Sequence, residues 1–176
     1  MQREALRTPL GPVNDWSDAD FVEWFRSLQY HDQAHLVKRL SSFFNGRPPN
    51  DWFRQTLRAY WPAIQRPHEV QGLIGCLQRV RFVGPTHRAS RPKHALILYR
   101  GGNSYADGYS WTTSVDRARQ YAMRCQEAGV EGYVMKMELP NDLLLALLKN
   151  GPEMDYIPNP SRTYHRAGYF EKYPAT

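Results

Sequence analysis

Leu98–Ser114 reads LYRGGNSYADGYSWTTS, and the architecture of the chain turns on how its two ends are taken. Upstream, Ala95–Tyr99 is an uninterrupted apolar run that stops at Arg100, Gly101 and Gly102. A short apolar run bounded by glycines predicts a buried strand. Downstream, Tyr109–Ser114 predicts a second strand, with four hydroxyls in the five positions from Ser110 to Ser114. Alternate side chains of a strand share a face, so Ser110, Thr112 and Ser114 point one way and Trp111 and Thr113 the other. A guanidinium at a strand end, beside glycines that allow close backbone approach, suits a bidentate grip on phosphate. It equally suits an ion pair with a structural carboxylate. The hydroxyl row can hold a sugar, or it can be ordinary β structure rich in threonine. Ser114, followed by Val115-Asp116-Arg117, also reads as a helix N-cap.

Working outward, Asp116 to about Ala128 predicts a helix with Ala118, Tyr121, Ala122 and Cys125 on one face. Gly132–Leu139 predicts a strand, Pro140–Leu148 a short helix, and Asp155–Ile157 a last short strand before Pro158. Glu153 and Asp155 stand two apart on a turn entering that strand, so an extended backbone projects both carboxylates to one side. Such a pair is a candidate for acid–base or cation-stabilising chemistry, or simply a pair of surface acids. The aromatic stretch Tyr164–Tyr173 covers the second half or docks a partner.

Before the polar, breaker-rich segment Gly84–Lys93 the pattern is helical. Phe21, Trp24, Phe25 and Leu28 form one apolar face behind a Ser17/Asp20 pair resembling a capping box. A second helix carries Leu36, Val37, Leu40, Phe43 and Phe44 and stops at Asn45-Gly46, before an Arg47–Pro49 linker. A third carries Trp52, Phe53, Leu57 and Tyr60, and a fourth, opened by Pro67, carries Val70, Leu73, Ile74 and Leu77. The expected organisation is therefore α+β, with an N-terminal helical module over residues 1–90 and a small mixed β-sheet half over 91–176.

The 176 residues have 41% hydrophobic and 13% aromatic content, enough for a substantial core. No run approaches the ~20 apolar residues needed to span a bilayer, and the N-terminus lacks a signal peptide's apolar centre. Cys76 and Cys125 are far apart, without metal-ligand spacing, which fits a reducing cytosol, bacterial or host. The net charge of +6 favours an acidic partner, but the arginines are scattered rather than clustered.

Taken in order, Tyr99-Arg100-Gly101, the hydroxyl segment with its following helix, and Glu153-Met154-Asp155 resemble the arginine-type ADP-ribosyltransferases, which carry an Arg–Ser–Glu pattern. The resemblance covers about residues 95–160 and does not extend to the helical half. It implies an ADP-ribosyltransferase-like core that transfers ADP-ribose from NAD to a macromolecular acceptor, protein rather than nucleic acid, as bacterial or phage effectors and toxins do. Arg100 would hold the NAD diphosphate, and Tyr99, Gly101, Ser110, Trp111, Thr112 and Thr113 would line the nicotinamide–ribose site. Thr112-Thr113-Ser114 takes the place of the family's Ser-Thr-Ser, while Ser110-Trp111-Thr112 matches a Ser-Trp-Thr variant literally. Asp155 stands at the catalytic acid of the terminal Glu-x-Glu, one methylene short, and Glu153 at the acid that engages the acceptor. No metal is implied. The alternatives are an NAD glycohydrolase on the same fold, a catalytically inactive module that binds NAD or a partner, and a small helical nucleic-acid-binding protein.

Overall fold

The computed structural model describes residues 7–8, 11–12, 18–29, 32–33, 35–36, 51–61, 67–86, 88–103, 109–150, 153–163 and 166–174. Most of the expected second helix, its Asn45-Gly46 stop and the Arg47–Pro49 linker lie outside these residues, as does Ser17. The elements are β1 (Arg7–Thr8), β2 (Gly11–Pro12), α1 (Asp18–Ser27), α2 (Asp51–Tyr60), α3 (Pro67–Arg79), β3 (Leu96–Gly102), α4 (Val115–Glu127), β4 (Gly132–Leu139), β5 (Leu144–Asn150), β6 (Glu153–Pro158), α5 (Pro160–Thr163) and β7 (Ala167–Tyr173). The mixture of helix and sheet is α+β.

Helices α1, α2 and α3 form where the apolar spacing predicts them, because their stripes close one core. Phe25, Phe53, Leu57, Tyr60, Leu73, Ile74 and Leu77 are all buried there, with Phe25 edge-on to Tyr60 at 6.2 Å between ring centres. Tyr109, Ala146, Leu148 and Ile157 from the second half complete the same cluster. Val83, just past α3, pairs in parallel with Ala146 through Val83 N–H to Leu145 O (3.1 Å) and Leu147 N–H to Val83 O (2.8 Å). Within α3, Gly72 and Gly75 face open space where a Cβ would stand, so neither is demanded by packing.

In the second half β3, β4 and β7 form one antiparallel sheet in that order, and β5 and β6 form a hairpin. The two are stitched together by the hydroxyl segment. Tyr99 exchanges both backbone hydrogen bonds with Thr112 (2.7 and 2.9 Å), and Trp111 exchanges both with Tyr156 (2.9 and 2.8 Å). Leu98, Trp111, Met135, Met137, Leu139, Leu143 and Leu144 are buried together in a second cluster.

Several elements differ from expectation. The strand expected over Ala95–Tyr99 runs on through Gly102, so Arg100 lies within β3 rather than at its end. Only Trp111 and Thr112 of Tyr109–Ser114 pair as strand, since Ser114 turns the chain into α4 as its N-cap, its Oγ accepting from Arg117 N–H. The short helix expected over Pro140–Leu148 is a single 3-10 turn, Asn141–Leu143, leading into β5. Leu143, Leu144, Leu145, Ala146 and Leu148 are buried between the two clusters. A continuous leucine run satisfies either structure by itself, and pairing with β6 decides for the strand. The aromatic C-terminal stretch supplies β7.

Helix α4 lies flat on β3 and β4. A Cβ on Gly101 would stand 1.8 Å from the Ala118 carbonyl oxygen, and one on Gly132 2.0 Å from that of Ala122. The helix ends in a Schellman turn: Gly129 at φ 76° donates to Gln126 O (2.9 Å) and Val130 N–H to Cys125 O (3.0 Å). That turn feeds the chain directly into β4. Arg119 then clamps α4 to β7: its Nε lies 3.0 Å from both Glu171 oxygens, and Tyr173 donates to the same carboxylate at 2.8 Å.

Two outcomes follow from this packing. Gly101→Ala forces α4 off the sheet and costs about 1–3 kcal/mol or more, read as a lower urea midpoint at unchanged slope. The Glu171 carboxyl sits below its ordinary value of 4.5, first because Arg119 donates to it and next because Tyr173 does. A depressed carboxylate contributes stability that is complete above the ordinary value and fades as pH falls through the folded one. Melting temperature measured from pH 6 down to about 3 will therefore fall less steeply in Glu171→Gln than in wild type.

Candidate functional site

The three stretches singled out in the sequence meet on neighbouring strands. With Tyr99 opposite Thr112 and Trp111 opposite Tyr156, the antiparallel registers place Thr112 opposite Asp155, and Arg100 opposite Trp111. Two rows cross the joined strands: Tyr99–Thr112–Asp155 and Arg100–Trp111–Tyr156. Opposed residues share a face and successive residues do not, so the two rows lie on opposite faces.

The packing agrees with these rows. Trp111 and Tyr156 meet Leu98 in the cluster between the sheets, on the Arg100 side. Ile157, which shares a face with Asp155, packs into the helical core, as does Leu148, the partner of Asp155 across the hairpin. Tyr99 packs beside Ala118 and Ala122 of α4.

On the Arg100 face, the guanidinium folds back along its strand, its Nη2 lying 3.4 Å from where a Cβ of Gly102 would stand. Gly102 thus leaves room for the arginine head. Gly101 points the other way, where the close approach it permits is filled by the α4 backbone. Trp111 is only 3% exposed, and its buried indole Nε1 has no hydrogen-bond partner among the described residues. Its ring serves the packing between the sheets.

On the Asp155 face, Asp155 is 7% exposed, with Arg117 Nη2 3.9 Å from its Oδ1. Arg117 projects from the first turn of α4, and its guanidinium lies 5.8 Å from the centre of the Tyr121 ring. Ser114 N–H donates to Thr112 Oγ1 at 3.1 Å, and Ser114 Oγ accepts from Arg117 N–H at 3.3 Å. The Thr112 and Ser114 hydroxyls are therefore engaged in setting the start of α4. Ser110 Oγ accepts from Trp61 Nε1 at 2.7 Å, tying the helical half to this face. Thr113 is exposed, and Glu153 opens β6 opposite Asn150.

The arrangement thus brings Thr112, Ser114, Asp155 and Arg117 together and leaves Arg100 across the strand pair. Arg117, Trp61 and Tyr156 escape notice in the sequence. Arg117 has a local signal, lying three residues after a predicted N-cap, but its meeting with Asp155 is a tertiary contact. Among the described residues no group of three His, Cys, Asp or Glu side chains is placed to hold a metal ion. No described helix is long and apolar enough to cross a membrane.

Because Ser114 closes the first turn of α4, Ser114→Ala costs about 1 kcal/mol. Chemical denaturation measures that loss, and hydrogen exchange localises it to the Arg117 amide. Comparison of the chain with protein-family models, with curated proteins and with solved structures finds no match.

Proposed function

We propose that the chain is an NAD-dependent ADP-ribosyltransferase that moves ADP-ribose onto a macromolecular acceptor and releases nicotinamide. One observation carries this: Arg100, the Trp111–Thr112 pair and Asp155, far apart in sequence, stand on three neighbouring strands joined by four backbone hydrogen bonds. That is the order in which the resembling enzymes present arginine, hydroxyl and acid to NAD.

In this scheme the Arg100 guanidinium, which lies over Gly102, holds the NAD diphosphate through charge-assisted hydrogen bonds. Thr112, on the Asp155 row, faces the ribose beside the scissile bond. The bond between ribose C1′ and the nicotinamide nitrogen breaks, and its electron pair leaves with neutral nicotinamide. Asp155 stabilises the developing positive charge on the ribose, an effect of a preorganised carboxylate. The acceptor nucleophile then bonds to C1′ and gives its proton to Glu153 or to water. In a bacterial or phage effector the acceptor is a host macromolecule, a protein before a nucleic acid.

The opposed faces and the burial of Asp155 favour a second reading, a module that binds NAD or a partner without turnover. Incubating wild type and Asp155→Ala with adenine-labelled NAD and a bacterial lysate separates the two. Label carried into protease-sensitive material by wild type alone is the expected result. Free ADP-ribose alone identifies a glycohydrolase, and NAD left intact by both proteins overturns the enzymatic reading. Arg100→Met raises KM for NAD roughly 10-fold or more, the loss of a charge-assisted contact worth about 1.5–3 kcal/mol, with a smaller change in kcat.

A further inference from the structure

We infer that Arg117 is the positioning residue for Asp155, so that the two arginines of the site divide the work: Arg100 holds substrate and Arg117 sets the acid. This rests on the transferase reading above. Asp155 belongs to the row facing α4, away from Arg100. Among the described residues Arg117 is a cation on that face, and both side chains are largely removed from solvent, at 15% and 10% exposure. A carboxylate so buried needs an opposite charge nearby to offset its lost hydration. At 3.9 Å the contact is one of charge rather than a hydrogen bond from that guanidinium nitrogen. Arg117 therefore acts on the carboxylate through its charge.

The placement is rigid for reasons visible in the backbone. Thr112 accepts from Ser114 N–H, Ser114 accepts from Arg117 N–H, and α4 is pressed onto Gly101 and Gly132. The hydroxyl segment thereby positions the acid's partner through the helix cap, which gives Thr112 and Ser114 a role even where their oxygens are already engaged. The helix also supplies an internal control. Arg119, two residues on, makes its ion pairs with Glu171 and Asp116 and plays no part in the Asp155 row.

The test is steady-state NAD consumption by wild type, Arg117→Met, Arg117→Lys and Arg119→Met, each with its melting temperature recorded. Arg117→Met is expected to lower kcat about 10- to 100-fold, the scale of a misplaced catalytic group, with KM for NAD within about 3-fold. Arg117→Lys recovers part of that loss, and Arg119→Met keeps the wild-type kcat below its own melting temperature. Wild-type kcat in Arg117→Met overturns the inference, as does an equal loss in Arg119→Met or a change confined to KM. Should Arg117→Met not fold, Arg117→Gln gives the decision by the same criteria. No consumption by wild type overturns the transferase reading and this inference with it; consumption by wild type with Arg117→Met unimpaired overturns this inference alone.

Discussion

Four backbone hydrogen bonds through Trp111 and Thr112 hold the second half of the chain together. Without them β3–β4–β7 and β5–β6 are two separate pieces, each with a strand edge lacking these partners, a costly condition for buried backbone groups. With them, β6 lies alongside β3 across a two-residue bridge, and an apolar layer closes between the two pieces. Register follows from the same bonds. It fixes which residues face the helices and which face the layer between the sheets, and a slip of one position would exchange the two sets. The position of Asp155 relative to Arg100 is therefore a consequence of backbone pairing before any side chain acts.

The second constraint is the closeness of α4 to the sheet. Gly101 and Gly132 let the Ala118 and Ala122 carbonyls come nearer than any side chain permits. This intimacy sets the height of the first turn of α4 above β3. Arg117 reaches Asp155 because of it. The glycine beside Arg100 thus bears on the acid through packing, although the sequence invites a reading in terms of ligand contact.

Some of this was legible in the sequence and some was not. Phe53, Leu57 and Tyr60 at helical spacing announce α2, and Leu73, Ile74 and Leu77 announce α3, since a stripe of that period has one way to be buried. Arg100, the hydroxyl segment and Asp155 were visible as chemistry because polar groups at the end of apolar runs stand out. The run Leu144–Leu148 carried no such information: leucine favours helices, and only pairing with β6 makes it a strand. Nor could spacing reveal that Arg100 and Asp155 face apart, because the relative phase of two strands depends on the register of the segment between them. The Arg117–Asp155 contact spans elements separated by two strands in sequence, and nothing local to either residue foretells it.

The weave at Val83 and the glycines of α3 together govern how the chain comes apart. Gly72 and Gly75 weaken α3 as an isolated helix, by about 0.8–1.0 kcal/mol each relative to alanine. The helix is consequently held by docking into the core it shares with α1, α2 and the second half rather than by its own propensity. Val83, immediately beyond it, shares two hydrogen bonds with β5. Cooperativity is built in at that seam: when β5 leaves the hairpin, α3 loses its anchor and part of its support. Opening the sheet and melting the helical half thus become one event.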